Sequence, residues 1–544
     1  MKGRKTGMNI DDDHSRRRFL KLTGYGTLGL MASGLWPGIA RLAAGQTPDM
    51  EFVPDLDITL SARPGEVAVL PGDPTRVWRY HATVHKGDRA RIVEIPRSYL
   101  GPTIKVNQGE KIRIRFKNSI PEESIVHWHG LHVPAIMDGH PRYVVPQGQS
   151  YLYEFEVNNR AGTYWYHPHP HGRTGPQVYH GLAGLFLVSD AEEQAVGLPD
   201  GEYDVPLVIQ DRTFDSTNQL VYMPGHRMER VTGFLGDMIM VNGQPDFTLP
   251  VSTGAYRLRL LNGSNSRIYK LAWEDGRPLT IIGTDGGLLE RAVHRRYVFL
   301  SPGERLELWA DFSDNPVGYT TSLSSLPFDA GGMGGGRMGR GMMMGGRMGQ
   351  NQLFPNGAAF SVFRVNVTKP VKTKYRLPDM LTEIGPARPG DAVNSSRPRQ
   401  FYLTMRHMQW TINGRVFQME EVANDEIVQL GTTEIWEFNN TGGGMMNMMN
   451  MPHPIHLHGK QFRVIERSGV AHQGYVDEGW KDTVLLMPGE RIRILVDFAD
   501  YPGMFLYHCH NLEHEDMGMM RNYFVRVKLL LPFLNVQRQK CSRW

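Results

Sequence analysis

Beyond residue 100 the chain alternates apolar and polar residues in short runs: KIRIRF at 111–116, YLYEFEV at 151–157, YRLRLL at 256–261, RLELWADF at 305–312 and RIRILVDF at 491–498. Alternate side chains of an extended strand share a face, so each run predicts a strand with one buried side. Gly, Pro and Asn bound these runs, and no long stretch carries a helical period. The pattern predicts an all-β chain of sandwiches or barrels.

One turn-plus-strand unit recurs. PGERLELWADFSD at 302–314 returns as PGERIRILVDFAD at 488–500, and a fainter copy, PQGQSYLYEFEV, begins at Pro146. Three copies predict three related β-domains, roughly 50–190, 200–370 and 395–530, with a tail at 531–544. A segment of only Gly, Met and Arg at 331–349 cannot build a core and is expected to be a loop near the end of the second domain.

Composition changes this picture little, and charge changes it at one end. The formal +4 rests on residues 1–45, which hold eight Lys/Arg against three Asp. Without them the chain is close to neutral, which argues against nucleic acid as a partner. Those residues include SRRRFLKLTGYGTLGLMASGLWPGIARLAAG, with the pair Arg16 and Arg17, and resemble a twin-arginine export signal. A periplasmic protein without stable membrane insertion is therefore expected. Its apolar run is short and broken by Gly and Pro37, too poor for a membrane anchor. The two cysteines, Cys509 and Cys541, could pair in an oxidising compartment, but Cys509 sits among histidines.

The chemistry concentrates in the first and third copies. After its strand the first continues GTYWYHPH (162–169) and the third GMFLYHCH (503–510); HWHG at 127–130 answers HLHG at 456–459. The second copy has no His-x-His. On a strand His508 and His510 share one face and Cys509 takes the other, so one strand can serve two metal sites. Copper in an electron-transfer site takes two imidazoles, a thiolate and a weak thioether. Cys509, His514 and Met519 supply three of these, and His453, which leads HPIHLHG, is the natural fourth. Eight histidines remain in four pairs: His127 and His129, His167 and His169, His456 and His458, His508 and His510. They can form one multinuclear centre only if the first and third domains meet, with the second as a spacer. Zinc and calcium do not account for such a set.

With HWHG, HPH, HPIHLHG and HCHNLEHEDMGMM in place, the sequence resembles the three-domain multicopper oxidases over nearly its whole length after the leader. The resemblance implies cupredoxin-like Greek-key domains and four copper ions. His453, Cys509, His514 and Met519 would bind the type 1 copper, and His127 and His456 the type 2 copper. His129, His167, His169, His458, His508 and His510 would bind the type 3 pair. It further implies single-electron oxidation of a reductant at the type 1 site, transfer along Cys509 to His508 and His510, and four-electron reduction of dioxygen to water. Asp138 and Glu515 match acidic residues that donate protons in the bacterial copper-efflux oxidases. Asp482, in GWKDT, is expected to touch the type 1 histidines. His171 and His180 are read as structural, Cys541 as a free thiol, and the protein as a monomer.

The reductant is read from methionine. Six of 29 Met lie in 333–348 and five in 445–451, directly before His453, which in this family faces the substrate. Thioethers prefer Cu(I), so oxidation of cuprous ion in copper tolerance is expected, with Met445, Met446, Met448, Met449 and Met451 as candidate substrate-copper ligands. Two features depart from the copper-efflux oxidases: the longer Met tract ends the second domain rather than lying in the third, and an acidic substrate-copper residue is replaced within NMMNM. A laccase acting on phenols or aromatic amines is the alternative, and a non-catalytic copper store is a lesser one, since every ligand position is filled.

Overall fold

The structure is a computed structural model that describes residues 51–223, 227–330, 355–372, 375–441, 451–469 and 474–528. The leader at 1–45, the Gly/Met/Arg segment, Met445, Met446, Met448, Met449 and the whole 531–544 tail with Cys541 lie outside the described residues.

Each alternating run is a strand: Lys111–Asn118, Ser150–Glu156, Ala255–Asn262, Arg305–Asp311 and Arg491–Asp497. In the first of these Ile112, Ile114 and Phe116 are fully buried, while the Lys and Arg between them face outward. Helices are minor, and the longest described α-helices have six residues. None is long and apolar enough to cross a membrane.

Strands pair within three stretches of the chain. From 56 to 189 they form a four-stranded and a five-stranded sheet; from 204 to 370, a seven-stranded and a five-stranded sheet; from 399 to 526, two five-stranded sheets. Each stretch opens on a strand that runs parallel to a later one: Leu56–Val67 beside Lys111–Asn118, Asp204–Arg212 beside Ala255–Asn262, Arg399–Arg406 beside Thr433–Asn439. Parallel neighbours need a crossover, and here the chain crosses to the facing sheet and returns. This gives three cupredoxin-like sandwiches. The three repeated turns share one backbone device, a glycine at positive φ: Gly148 at 83°, Gly303 at 85° and Gly489 at 85°.

Each sandwich has its own apolar core, around Trp128 and Tyr153, around Leu258, Leu271 and Ile281, and around Trp436, Phe438 and Ile494. Truncating one such leucine, for example Leu260→Ala, would cost about 2–5 kcal/mol through lost burial and a residual cavity. The cores make rigid platforms for the strands that carry histidine.

Candidate metal centre

Strand Gly503–Cys509 lies between Met520–Arg526 and His453–Leu457, with Ile455 opposite Cys509 and His456 opposite His508. In the first sandwich, strand Val126–His129 pairs with Gly162–Pro168, His127 opposite His167. Two strand pairs thus carry the four His-x-His motifs, and strand alternation sorts their side chains.

On the cysteine face, Cys509 Sγ lies 3.5 Å from His453 Nδ1 and 3.6 Å from His514 Nδ1. The strand delivers Cys509, and the short helix Leu512–Asp516, capped by the Asn511 side chain on the His514 N–H, delivers His514. All three side chains are fully buried. Met519 is buried as well, and its carbonyl accepts the Cys509 N–H at 3.0 Å. Burial pushes the thiol up from its ordinary range and holds His514 down at about 3.

On the other face the first and third sandwiches bring eight imidazoles together, all fully buried. His127 Nε2 is 3.3 Å from His456 Nε2. His508 Nε2 is 3.0 Å from His458 Nε2 and 3.4 Å from His169 Nε2. His129, His167 and His510 form a third group, with ring centroids 4.9 to 5.7 Å apart. Their ligand atoms cluster in overlapping groups: His127, His456 and His458; His127, His129 and His167; and His169, His458 and His508. Burial, then repulsion among neighbouring imidazoles, lowers His127, His129, His456, His458 and His510 well below the ordinary range. Burial holds His167 at about 4 and His169 at about 3. These seven rings are neutral at pH 7 and present lone pairs.

Several ring nitrogens have no hydrogen-bond partner among the described residues: His129 Nδ1, His167 Nε2, His169 Nδ1, His453 Nε2 and both nitrogens of His510. A buried polar atom left unpaired costs about 1–3 kcal/mol, so this many in one place calls for a ligand that takes lone pairs. Cys/His/His sites with a nearby thioether, beside an all-imidazole nest, suit copper.

Carboxylates border the nest. Asp138 Oδ2 accepts from His458 Nδ1 at 2.7 Å, and the Asp138 carbonyl accepts from His127 Nδ1 at 2.6 Å. Burial raises the Asp138 carboxyl well above its ordinary range. Glu515 lies 3.5 Å from His169 Nε2 and 3.2 Å from His508 Nδ1. Burial acts to raise its pKa, but His169 and His508 outweigh that and hold it low.

Asp482 is elsewhere than the sequence suggested. It accepts from His129 Nε2 at 3.0 Å and lies 3.7 Å from His456 Nδ1, so it serves the imidazole nest and not the sulfur site. Register explains this: His456 pairs with Thr483, which sets Asp482 beside the His456 end of that strand. The second sandwich is also more than a spacer. Its Arg305, fully buried, donates to both Asp482 oxygens at 2.7 and 2.5 Å. His171 packs on Phe417 at 4.9 Å, and His180 Nδ1 donates to the Pro176 carbonyl at 2.7 Å; neither joins the donor sets.

Two family models, both described as Multicopper oxidase, match residues 77–193 and 392–528, the two stretches that carry the histidine motifs. The chain is similar to the laccase of Bacillus stratosphericus, at 31% identity over 82% of this chain and 90% of that protein. It is similar to multicopper oxidase mco of Staphylococcus aureus, at 31% identity over 80% of this chain and 84% of the relative. Among solved structures, McoA multicopper oxidase of Aquifex aeolicus shares 34% identity with a TM-score of 0.72, covering 87% of this chain and 97% of that one.

Proposed function

The chain belongs to the multicopper oxidase family, copper enzymes that reduce dioxygen with electrons from a reductant, and on that premise we propose that this oxidase takes its electrons from cuprous ion. The balanced reaction is four Cu(I), one dioxygen and four protons giving four Cu(II) and two waters. The observation that carries the choice is the methionine run ending at Met451, two residues before His453. Met451 is buried against the third core, and its carbonyl accepts from Asn440 Nδ2 at 2.8 Å, so the end of the run is fixed beside the sulfur site. Soft thioethers there suit Cu(I) better than they suit a phenol.

In this reading four resident coppers supply one-electron redox chemistry at the sulfur site and dioxygen reduction in the nest. His453, Cys509, His514 and Met519 hold the type 1 ion. His127 and His456 hold the type 2 ion, and the trios His129, His167, His510 and His169, His458, His508 hold the type 3 pair. The His127–His456 contact and the group His169, His458 and His508 support part of this division. The peptide His508–Cys509–His510 joins the two donor sets through covalent bonds. Asp138 holds a proton at its carboxyl against His458, and Glu515 takes up and passes protons beside His169 and His508.

A monomer fits this reading, because one chain supplies all twelve ligands. Arg16 and Arg17 would direct a folded, copper-loaded protein to the periplasm, in keeping with a role in copper tolerance. Oxygen uptake by the copper-loaded protein, with Cu(I) and separately with a phenol, tests the substrate. Deleting 331–349 should abolish Cu(I) oxidation and leave phenol turnover intact or faster. Equal loss of both activities would refute the cuprous reading.

A further inference from the structure

The sulfur site has two imidazoles through which a donor could deliver an electron, and the fold treats them differently. Both turn Nδ1 toward Cys509 Sγ, so both point Nε2 away from it. His514 Nε2 donates to the carbonyl of Val231 at 2.8 Å. The same carbonyl accepts from Trp410 Nε1, also at 2.8 Å. His453 Nε2 is buried and has no hydrogen-bond partner among the described residues. The Trp410 ring lies against both imidazoles, with centroids 4.5 Å from His453 and 5.2 Å from His514.

Val231 comes from the second sandwich's stretch of the chain, in the short helix Arg227–Thr232. The residues after it are held at several points. Gly233 has φ +86°, and a Cβ there would collide with Ser266 and Asn511, so this backbone is pressed against the loop that presents His514. The Phe234 ring packs edge-on against Tyr179 and Tyr222, 5.3 Å from each. Gly236 N–H donates to Asp211 Oδ2 at 2.8 Å, and its carbonyl accepts from Arg267 Nη2 at 2.7 Å. Val231, Phe234 and Leu235 are all buried.

We propose that residues 231–236, with Trp410, form a fixed cap that closes His514 to electron donors and so determines specificity. Electron transfer slows steeply with distance, so a planar aromatic donor gains rate by reaching an imidazole edge. The cap occupies that edge of His514 with a carbonyl and an indole. His453 is equally buried, but its Nε2 carries no such bond, and the chain brings the end of the methionine run to it. The cap thus disfavours aromatic donors at His514 and leaves His453 as the imidazole for a metal ion. The preference for the ion rests on the cuprous reading above; the closure of His514 does not.

Phe234→Ala removes the ring that anchors the cap without altering a ligand or the His514 loop. In the copper-loaded full-length protein, hydrogen exchange of amides 228–236 should speed up by roughly tenfold or more as the cap opens. kcat/KM for 2,6-dimethoxyphenol should rise by roughly tenfold or more, while that for Cu(I) stays within about twofold. Phe234→Leu, a smaller cut to the same ring, should act in the same direction and serves if Phe234→Ala does not fold. Faster exchange with unchanged phenol turnover would overturn the proposal, as would a cap that stays protected in both variants. If phenol turnover rises but the unaltered protein fails to oxidise Cu(I), the cap stands and the cuprous reading falls.

Discussion

Replacing Arg305 by Met tests whether the second sandwich holds the imidazole nest in shape. Arg305 Nη1 and Nη2 grip Asp482, while Nε, Nη1 and Nη2 also donate to the carbonyls of Thr163, Gly303 and Asp285 at 2.8, 2.9 and 3.0 Å. The side chain therefore ties together all three sandwiches. Lys481, 3.1 Å from Asp285 and 3.1 Å from Glu304, is the neighbouring buried cation and is committed to those two carboxylates. With Met at 305, the buried Asp482 carboxylate loses its fork of donors. Breaking a buried pair in this way costs about 3–5 kcal/mol. A surface pair of similar length, Arg79 and Glu94 at 2.6 Å, sits in solvent, and Arg79→Met should cost less than about 1 kcal/mol. A chain of three sandwiches does not unfold in one step, so the assay is local: hydrogen exchange over 480–486. At about 1.4 kcal/mol per decade, the buried substitution should speed opening there between roughly a hundredfold and a few thousandfold. Arg305→Lys, which keeps a charge but loses the bidentate grip, should fall between Met and the native residue. Exchange changed by less than about tenfold in Arg305→Met would refute the reasoning, because it would mean that Asp482 is neutral, hydrated or held by other donors.

Cys509→Ser should abolish the intense blue absorption of the copper-loaded protein together with oxidation of both Cu(I) and phenol; surviving turnover of either donor would mean a second way in that bypasses the sulfur. Acid should uncouple another buried network. Burial acts to raise Glu307, but Arg257 and Arg259 outweigh it and hold the carboxyl at about 2, down from 4.5. A group depressed on folding stabilises fully above its unfolded pKa and loses that contribution as pH falls through the folded value. About 3 kcal/mol should therefore disappear between pH 4.5 and pH 2, and Glu307→Gln should flatten the loss of thermal stability over that window.

The parts of the molecule that repeat or alternate were legible in the chain. Period-2 runs marked the strands, the PGER repeat marked equivalent turns, and the interleaving in HCH already separated Cys509 from His508 and His510. Neighbours set by a register across several hundred residues were not legible. Asp482 was placed at the sulfur site by resemblance to similar positions in the family, whereas pairing of Thr483 with His456 carries it to the imidazoles. Arg305 gave a faint signal, since Arg491 repeats it in the third copy, but repetition also reads as turn chemistry. Arg491 is half-buried and pairs with Glu466, so the same motif position does different work in the two sandwiches. The Val231 contact to His514 left no trace, because a backbone carbonyl has no letter in a sequence.

The separation of 329 positions between His127 and His456 bears on how the protein is made. A nascent or truncated chain that ends before residue 456 carries only part of each donor group and can close none of them. Dioxygen chemistry must therefore wait until synthesis is nearly finished and the two ends of the polypeptide have folded onto each other. Unfinished copies bind no complete cluster and cannot leak half-reduced oxygen.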